Sequence, residues 1–320
     1  MQVPFVPTIY EHGAALIGCT PSEAAQSEDL LVKGLKAAYE RYRQPLVSVG
    51  LDIYNIEAEA LGGVVDYPQD STLPALRSRL IHSPDDFKAL RVPDPKKDGR
   101  MPMLLGACRR LKAEIPAAIS GTVTGPFTLA AILRDFEDFM MDIYDDPDFA
   151  REQLNFAAEI AFKFASAYHE LGVSIAINES WITPPLCAPE MYRTFAQPVE
   201  KELISRLLAI GIPRVSLVSG GNTTAIAAEM LDTGTSYIMA DWDCDRRAVL
   251  ALCEPRGVLL RASIPPAMVE RGNEKELSDA VRRVMDDCGG YPNLVFGCGI
   301  VSYNTQPENV LLLKRLVSEY

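Results

Sequence analysis

DPDFAREQLNFAAEIAFKFASAYHELGVSIAINES, residues 146–180, holds one complete repeat of the architecture. Asp146 before Pro147 marks a helix start. The carboxylate can take up a free amide of the first turn, and proline fits the first helical position because the N–H it lacks has no partner there. Leu154, Ala157, Ile160, Ala161, Phe164 and Tyr168 then share one face at the helical period. Leu171-Gly172 ends the helix, residues 173–177 form a short β-branched run, and Asn178, Glu179, Ser180 and Trp181 follow at once.

The same helix-then-strand alternation extends in both directions. Strand-like runs fall at residues 3–9, 46–51, 117–122, 173–177, 214–218, 236–240, 258–262 and 293–296, with amphipathic stretches such as GNTTAIAAEML between them. Strands alternating with helices imply a parallel sheet, and eight such units imply closure. The expected fold is a single (β/α)8 TIM-type barrel over residues 1–320, α/β in class, with N-terminal helical and loop insertions. YPQDSTLPALRSRL and RVPDPKKDGRMP are polar and proline-punctuated, and are expected to be insertions between barrel elements. No Pro/Gly linker, charge block or low-complexity segment divides the chain.

Length and composition agree with this. At 320 residues the chain exceeds the roughly 250 of a bare barrel, and 48% hydrophobic with 23% charged residues is a globular balance. A net charge of −12 argues against nucleic-acid binding and against docking on an anionic membrane. The stretch PAAISGTVTGPFTLAAIL is interrupted by glycine and proline and is too broken for a membrane span. The seven cysteines are scattered, odd in number and free of CxxC pairs, as reduced thiols would be. MQVPFVPTIYEHG has neither the basic stretch nor the apolar run of a signal peptide, so the expected location is cytoplasmic. Barrels of this size often pair, which leaves a homodimer open.

In a barrel of this kind, function sits at the C-terminal ends of the strands. Reading past each run gives Glu11 and His12; Asp52, Tyr54, Asn55 and Glu57; Thr122 and Thr124; Asn178, Glu179, Ser180 and Trp181. The later runs give Ser219, Gly220, Gly221 and Asn222; Asp241 and Asp243; Ser263; and finally Cys298 and Tyr303. Carboxylates and amides in this density suit a small-molecule site. Glu179, beside Trp181 at the end of an apolar run, is a candidate general acid; an ionised loop carboxylate is the plain alternative. Asp52 is a second catalytic candidate, with helix capping by Asp52 or Asn55 as the structural alternative. His12 is a third acid/base candidate, against a structural histidine. His82 and His169 read as structural. Tyr54, Asn55, Glu57, Asn178, Trp181, Ser219, Asn222, Asp241 and Tyr303 are candidate substrate-binding residues. Cys298 reads either as a metal ligand or activated thiolate, or as a small buried hydrophobe.

Four segments in order carry a family resemblance: LDIYNIEAEALGG, SGTVTGPFTLAAIL, VSLVSGGNTTAI and LVFGCGIVSYNTQPENV. The chain resembles the uroporphyrinogen decarboxylase superfamily, most of all its corrinoid-linked members such as the methylcobamide:coenzyme M methyltransferases. Two departures stand out. The decarboxylases carry an Arg-rich N-terminal signature that binds a porphyrinogen's eight acidic side chains, whereas PTIYEHGAALIG has no arginine, and the strand ends supply almost no cations. The zinc-dependent methyltransferases end their fifth strand in His-x-Cys. Here those positions are Val218 and Gly220, so Cys298 is the one remaining metal-ligand candidate, and zinc would need carboxylates such as Glu179, Asp241 or Asp243.

The resemblance implies methyl transfer between a small donor or acceptor and a corrinoid, the corrinoid arriving on a separate protein. Glu179 or His12 would assist the leaving group, and Glu179→Gln should then cut turnover sharply. A cofactor-free decarboxylase and a ligand-binding barrel without zinc chemistry are the alternatives.

Overall fold

The computed structural model describes residues 2–320. Seven parallel strands form one sheet: β2 (Leu46–Val49), β5 (Ala118–Thr124), β6 (Ser174–Glu179), β7 (Val215–Ser219), β8 (Tyr237–Ala240), β9 (Leu259–Ser263) and β10 (Leu294–Gly297). They lie side by side in chain order, which is the arrangement that right-handed helical crossovers produce. A short segment, β1 (Thr8–Ile9), pairs in parallel with β11 (Ile300–Val301), and Phe5 bridges Phe296 on the free edge of β10. β1 also packs beside β2 at the opposite edge, so the sheet curls until both of its edges meet the N-terminal segment. No hydrogen-bonded ladder joins β1 to β2 among the described residues.

Seven of the expected strands occur within two residues of their expected places. The first, expected over residues 3–9, is reduced to Thr8–Ile9 and the bridge at Phe5. Pro4 and Pro7 explain the interruption, because each removes a ladder donor. What remains is Val6 N–H donating to the Phe296 carbonyl and Phe296 N–H donating to the Pro4 carbonyl. Three helices, Glu11–Ile17, Pro21–Ala25 and Glu28–Tyr42, fill the N-terminal insertion. The insertion after β2 contains a small antiparallel hairpin, β3 (Val65–Asp66) with β4 (Ala75–Leu76), that sequence reading treats as loop.

The helix of the opening segment runs Pro147–Glu170, with the Asp146 side chain accepting from Phe149 N–H. Its expected apolar face is buried, and Tyr168 lies flat on Gly121 of β5. A Cβ at Gly121 would come within 2.4 Å of that ring, so the glycine lets helix and strand close up. Gly121 thus faces outward, and by alternation Ser120, Thr122 and Thr124 face the lumen. The register carries that inner face across the sheet through Asn178, Val218, Met239, Arg261 and Val295. All seven cysteines are free thiols. No helix among the described residues is long and apolar enough to cross a membrane.

Candidate active site

The first cluster forms where β2 ends. Asp52 accepts from Arg100 Nη1 at 2.8 Å and from Nη2 at 2.6 Å, and Asn55 Nδ2 donates to it at 3.0 Å. Arg100 Nε donates to Glu59, whose other oxygen accepts from the Tyr67 hydroxyl. Burial works against the Arg100 charge, but Asp52 and Glu59 hold the guanidinium firmly protonated. Asn55 also donates to the Pro74 carbonyl, tying the hairpin insertion to this cluster.

Two buried glutamates clasp the neighbouring loops. Glu57 accepts from the backbone and the hydroxyl of Thr124, at 2.8 and 2.7 Å. Glu179 accepts from Phe127 N–H, Thr128 N–H and the Thr128 hydroxyl, at the start of the helix Pro126–Arg134. Unpaired amides and the helix dipole make that end a natural carboxylate seat. Both glutamates are fully buried, and burial pushes the Glu57 carboxyl up to about 7 and raises that of Glu179 as well. His12 is similarly committed. One ring nitrogen lies 2.7 Å from the Tyr42 hydroxyl and the other 3.1 Å from the Ser302 carbonyl, and burial lowers its pKa to about 4. It is therefore neutral at physiological pH, linking a helix to the loop after β11.

The third cluster lines the lumen beneath the mouth at β7–β10. Asp241 Oδ2 accepts from Gly221 N–H at 3.0 Å, while Oδ1 is buried without a partner. Burial raises the Asp241 pKa. Arg261, in the middle of β9, is buried and reaches Thr8 Oγ1 at 2.9 Å. Ser263 is fully buried and its hydroxyl has no partner. The Ser219 and Thr183 hydroxyls bond each other at 2.8 Å.

The other expected binding residues spread around the mouth. Tyr54 accepts from the Ser180 hydroxyl, joining the loops after β2 and β6. Asn178 is buried, Nδ2 on the Ala176 carbonyl. Trp181 stands edge-on to Phe136, with centroids 5.1 Å apart. Asn222 is exposed and turns back to accept from Thr224 N–H. Tyr303 donates to the Cys19 carbonyl.

Sequence reading missed two residues, Arg100 and Arg261, which bring cations to the site from an insertion and from mid-strand and not from the strand ends. Arg100 lies in the polar insertion with no signal to single it out. Arg261 had one: a charge inside the apolar run VLLRASI, where arginine is rarely buried without purpose.

The donor set does not fit zinc. Val218 and Gly220 offer no side-chain ligand, and burial drives the Cys298 thiol up to about 12. Among the described residues no three His, Cys, Asp or Glu side chains converge on a point that could hold a metal.

Comparison with known proteins matches residues 2–320 to the family model described as uroporphyrinogen decarboxylase (URO-D). A uroporphyrinogen decarboxylase of Syntrophotalea carbinolica is 26% identical over 88% of this chain and 84% of its own length. One from Thermus thermophilus is 25% identical, over 86% and 82%. Among solved structures, a methyltransferase from Methanosarcina mazei superposes with a TM-score of 0.87 at 22% identity, covering 99% of this chain and 94% of its own. A B12-independent methionine synthase from a Shewanella species gives 0.61 at 13% identity, covering 92% and 90%. At these identities the structural likeness speaks for the fold.

Proposed function

The chain belongs to the uroporphyrinogen decarboxylase family, and from that premise we propose that it is an enzyme of the family's methyl-transferring side. It works at the C-terminal mouth of a (β/α)8 barrel and moves a methyl group between a small molecule and a corrinoid carried by a separate protein. The observation that carries this reading is the charge balance of the mouth. Arg100 is neutralised by Asp52 and Glu59, which leaves Arg261, deep in the lumen, as the cation available to a substrate. A porphyrinogen with eight acidic side chains needs many exposed cationic partners. One buried arginine suits a small substrate.

A corrinoid would supply the nucleophile that takes the methyl group. The chain's own residues then have two tasks: to hold the donor in line and to protonate the departing heteroatom. Asp241 suits the second. Gly221 N–H fixes Oδ2, burial favours the protonated form, and Oδ1 is left to present the proton. Asn178, Ser219 and Trp181 shape the pocket wall. Leu186 and Trp242, exposed on the loops after β6 and β8, and Ile300, exposed on β11, give the rim an apolar face for the corrinoid protein.

The second reading is a cofactor-free decarboxylase, favoured by the name its curated relatives bear and by the fixed carboxylate of Asp52 at the end of β2. One experiment separates the two. The purified protein is mixed with a panel of methyl ethers, methylamines, methyl thioethers and small carboxylic acids, with and without cob(I)alamin, and the cob(I) absorbance is followed alongside carbon dioxide release. Donor-dependent loss of the cob(I) band supports methyl transfer. Carbon dioxide released from a carboxylic acid without corrinoid sinks it in favour of decarboxylation.

A further inference from the structure

Arg261 is a buried cation with no carboxylate within ion-pair distance among the described residues. It is 7% exposed, its Nη2 donates to the neutral hydroxyl of Thr8, and its Nε has no partner. Tyr237, which also hydrogen-bonds the guanidinium, Cys298 and Asp241 stand near enough to matter electrostatically. Burial keeps the Tyr237 phenol and the Cys298 thiol neutral, and moves Asp241 towards its neutral form. A guanidinium shut away from water with no opposite charge is among the costliest arrangements a core can hold. Arginine cannot escape by losing its proton.

The surroundings of this charge are built for a guest. On the inner face, Asp241 lies beside Ser263, because Ala240 of β8 pairs with Ala262 of β9. Ser263 in turn pairs with Gly297 of β10. Arg261 stands one inward-facing position below Ser263 on the same strand. The Ser263 hydroxyl and Asp241 Oδ1 are both buried without partners, so with Arg261 Nε three unpartnered polar atoms share one patch of lumen wall. A Cβ at Gly297 would come within 2.1 Å of Arg261 Nε and 2.8 Å of Ser263 Oγ. The glycine therefore makes room for both donors against β10.

We infer that Arg261, Ser263 and Asp241 form the seat of a single carboxylate, and that the substrate of this site is a small carboxylic acid bound as its anion. A carboxylate is planar and carries one charge over two oxygens. One oxygen takes the guanidinium and the other the serine hydroxyl, with the Asp241 carboxyl, raised by burial, lying beside them. A tetrahedral phosphate dianion would need more donors than this wall holds. The inference rests on the proposed reading of the lumen as a small-molecule site, and it narrows the donor to one that bears an acid group.

The test is thermal unfolding at constant ionic strength with acetate, methoxyacetate, benzoate and 2-methoxybenzoate, each against its neutral amide, and with inorganic phosphate as the rival oxyanion. Wild type is compared with Arg261→Met and Arg261→Lys. At least one carboxylate is expected to raise the wild-type melting temperature in a concentration-dependent way while its amide does not. The response should be weaker in Arg261→Lys and absent in Arg261→Met. Without ligand, Arg261→Met should melt no lower than wild type, since an uncompensated charge has gone. The inference is overturned by a wild type that answers no carboxylate, by a response to phosphate instead, by a response surviving in Arg261→Met, or by an unliganded Arg261→Met that melts well below wild type. No corrinoid is present, so the outcome is independent of methyl transfer. A carboxylate response with a silent cob(I) assay defeats the functional reading alone, and the reverse defeats this inference alone.

Discussion

Arg100 grips both oxygens of Asp52, at 2.8 and 2.6 Å, from 48 residues further along the chain. The pair is nearly sealed, with side chains 11% and 3% exposed, and it joins the end of β2 to the insertion that precedes the helix Met101–Glu114. Removing one member of a buried pair leaves the other charge stranded. Arg100→Met should lower stability by about 3–5 kcal/mol, read as a shift in the denaturant midpoint. A loss below about 1 kcal/mol would mean that water or Asn55 compensates Asp52 and that the pair is not what anchors the insertion.

Glu57 sets a pH dependence. Its carboxyl is raised by burial from the ordinary 4.5 to about 7, so the folded state binds this proton more tightly than the unfolded state does. The stability it contributes is present below 4.5 and is lost as pH rises to about 7. Glu57→Gln can keep both contacts with Thr124 and cannot ionise. Its melting temperature should therefore fall less than that of wild type across this window. His12, with its pKa lowered to about 4, acts in the opposite sense, its contribution growing as pH rises from 4 to 6.5. A Glu57→Gln curve parallel to wild type would show that the carboxyl is not titrating there.

Glu179 separates structure from catalysis. Sequence reading expects Glu179→Gln to lose turnover, whereas its three donors mark it as the clasp on the helix Pro126–Arg134. The variant should lose about 1–3 kcal/mol of stability while turnover per folded molecule changes little. Gly125→Ala should behave alike, since its Cβ would fall 2.2 Å from the Glu179 carboxyl carbon. A large fall in turnover at unchanged stability would return Glu179 to the chemistry.

Asp241→Asn keeps an acceptor for Gly221 N–H and removes the acid. Turnover of donors that leave as alkoxide or phenoxide should drop by about 10²-fold or more, while donors that leave as a neutral amine or sulfide should be far less affected. Equal losses for both donor classes would make Asp241 a binding residue and no acid.

Chelators offer a further check. Because the donor set does not fit zinc, o-phenanthroline or EDTA should leave turnover unchanged, and elemental analysis should find metal well below one ion per chain. Inhibition reversed by added zinc would contradict this.

The alternation of helix and strand is a local property, and it was legible. Asp146-Pro147, the apolar stripe to Tyr168 and the β-branched runs each depend on neighbours a few residues away, so seven strands could be placed from the chain alone. So could the strand ends where Asp52, Asn178, Glu179, Asp241 and Cys298 lie. Only the tertiary structure decided what each of these groups meets. Whether a carboxylate is a clasp, an ion-pair partner or a free acid depends on donors brought from far along the chain: Arg100 for Asp52, Thr128 for Glu179, Gly221 for Asp241. Curling of the sheet put Thr8 against Arg261, 253 residues apart, and left Nε of that guanidinium unpaired. Burial and partnership are sums over the whole fold, and the pattern of one strand carries no record of them.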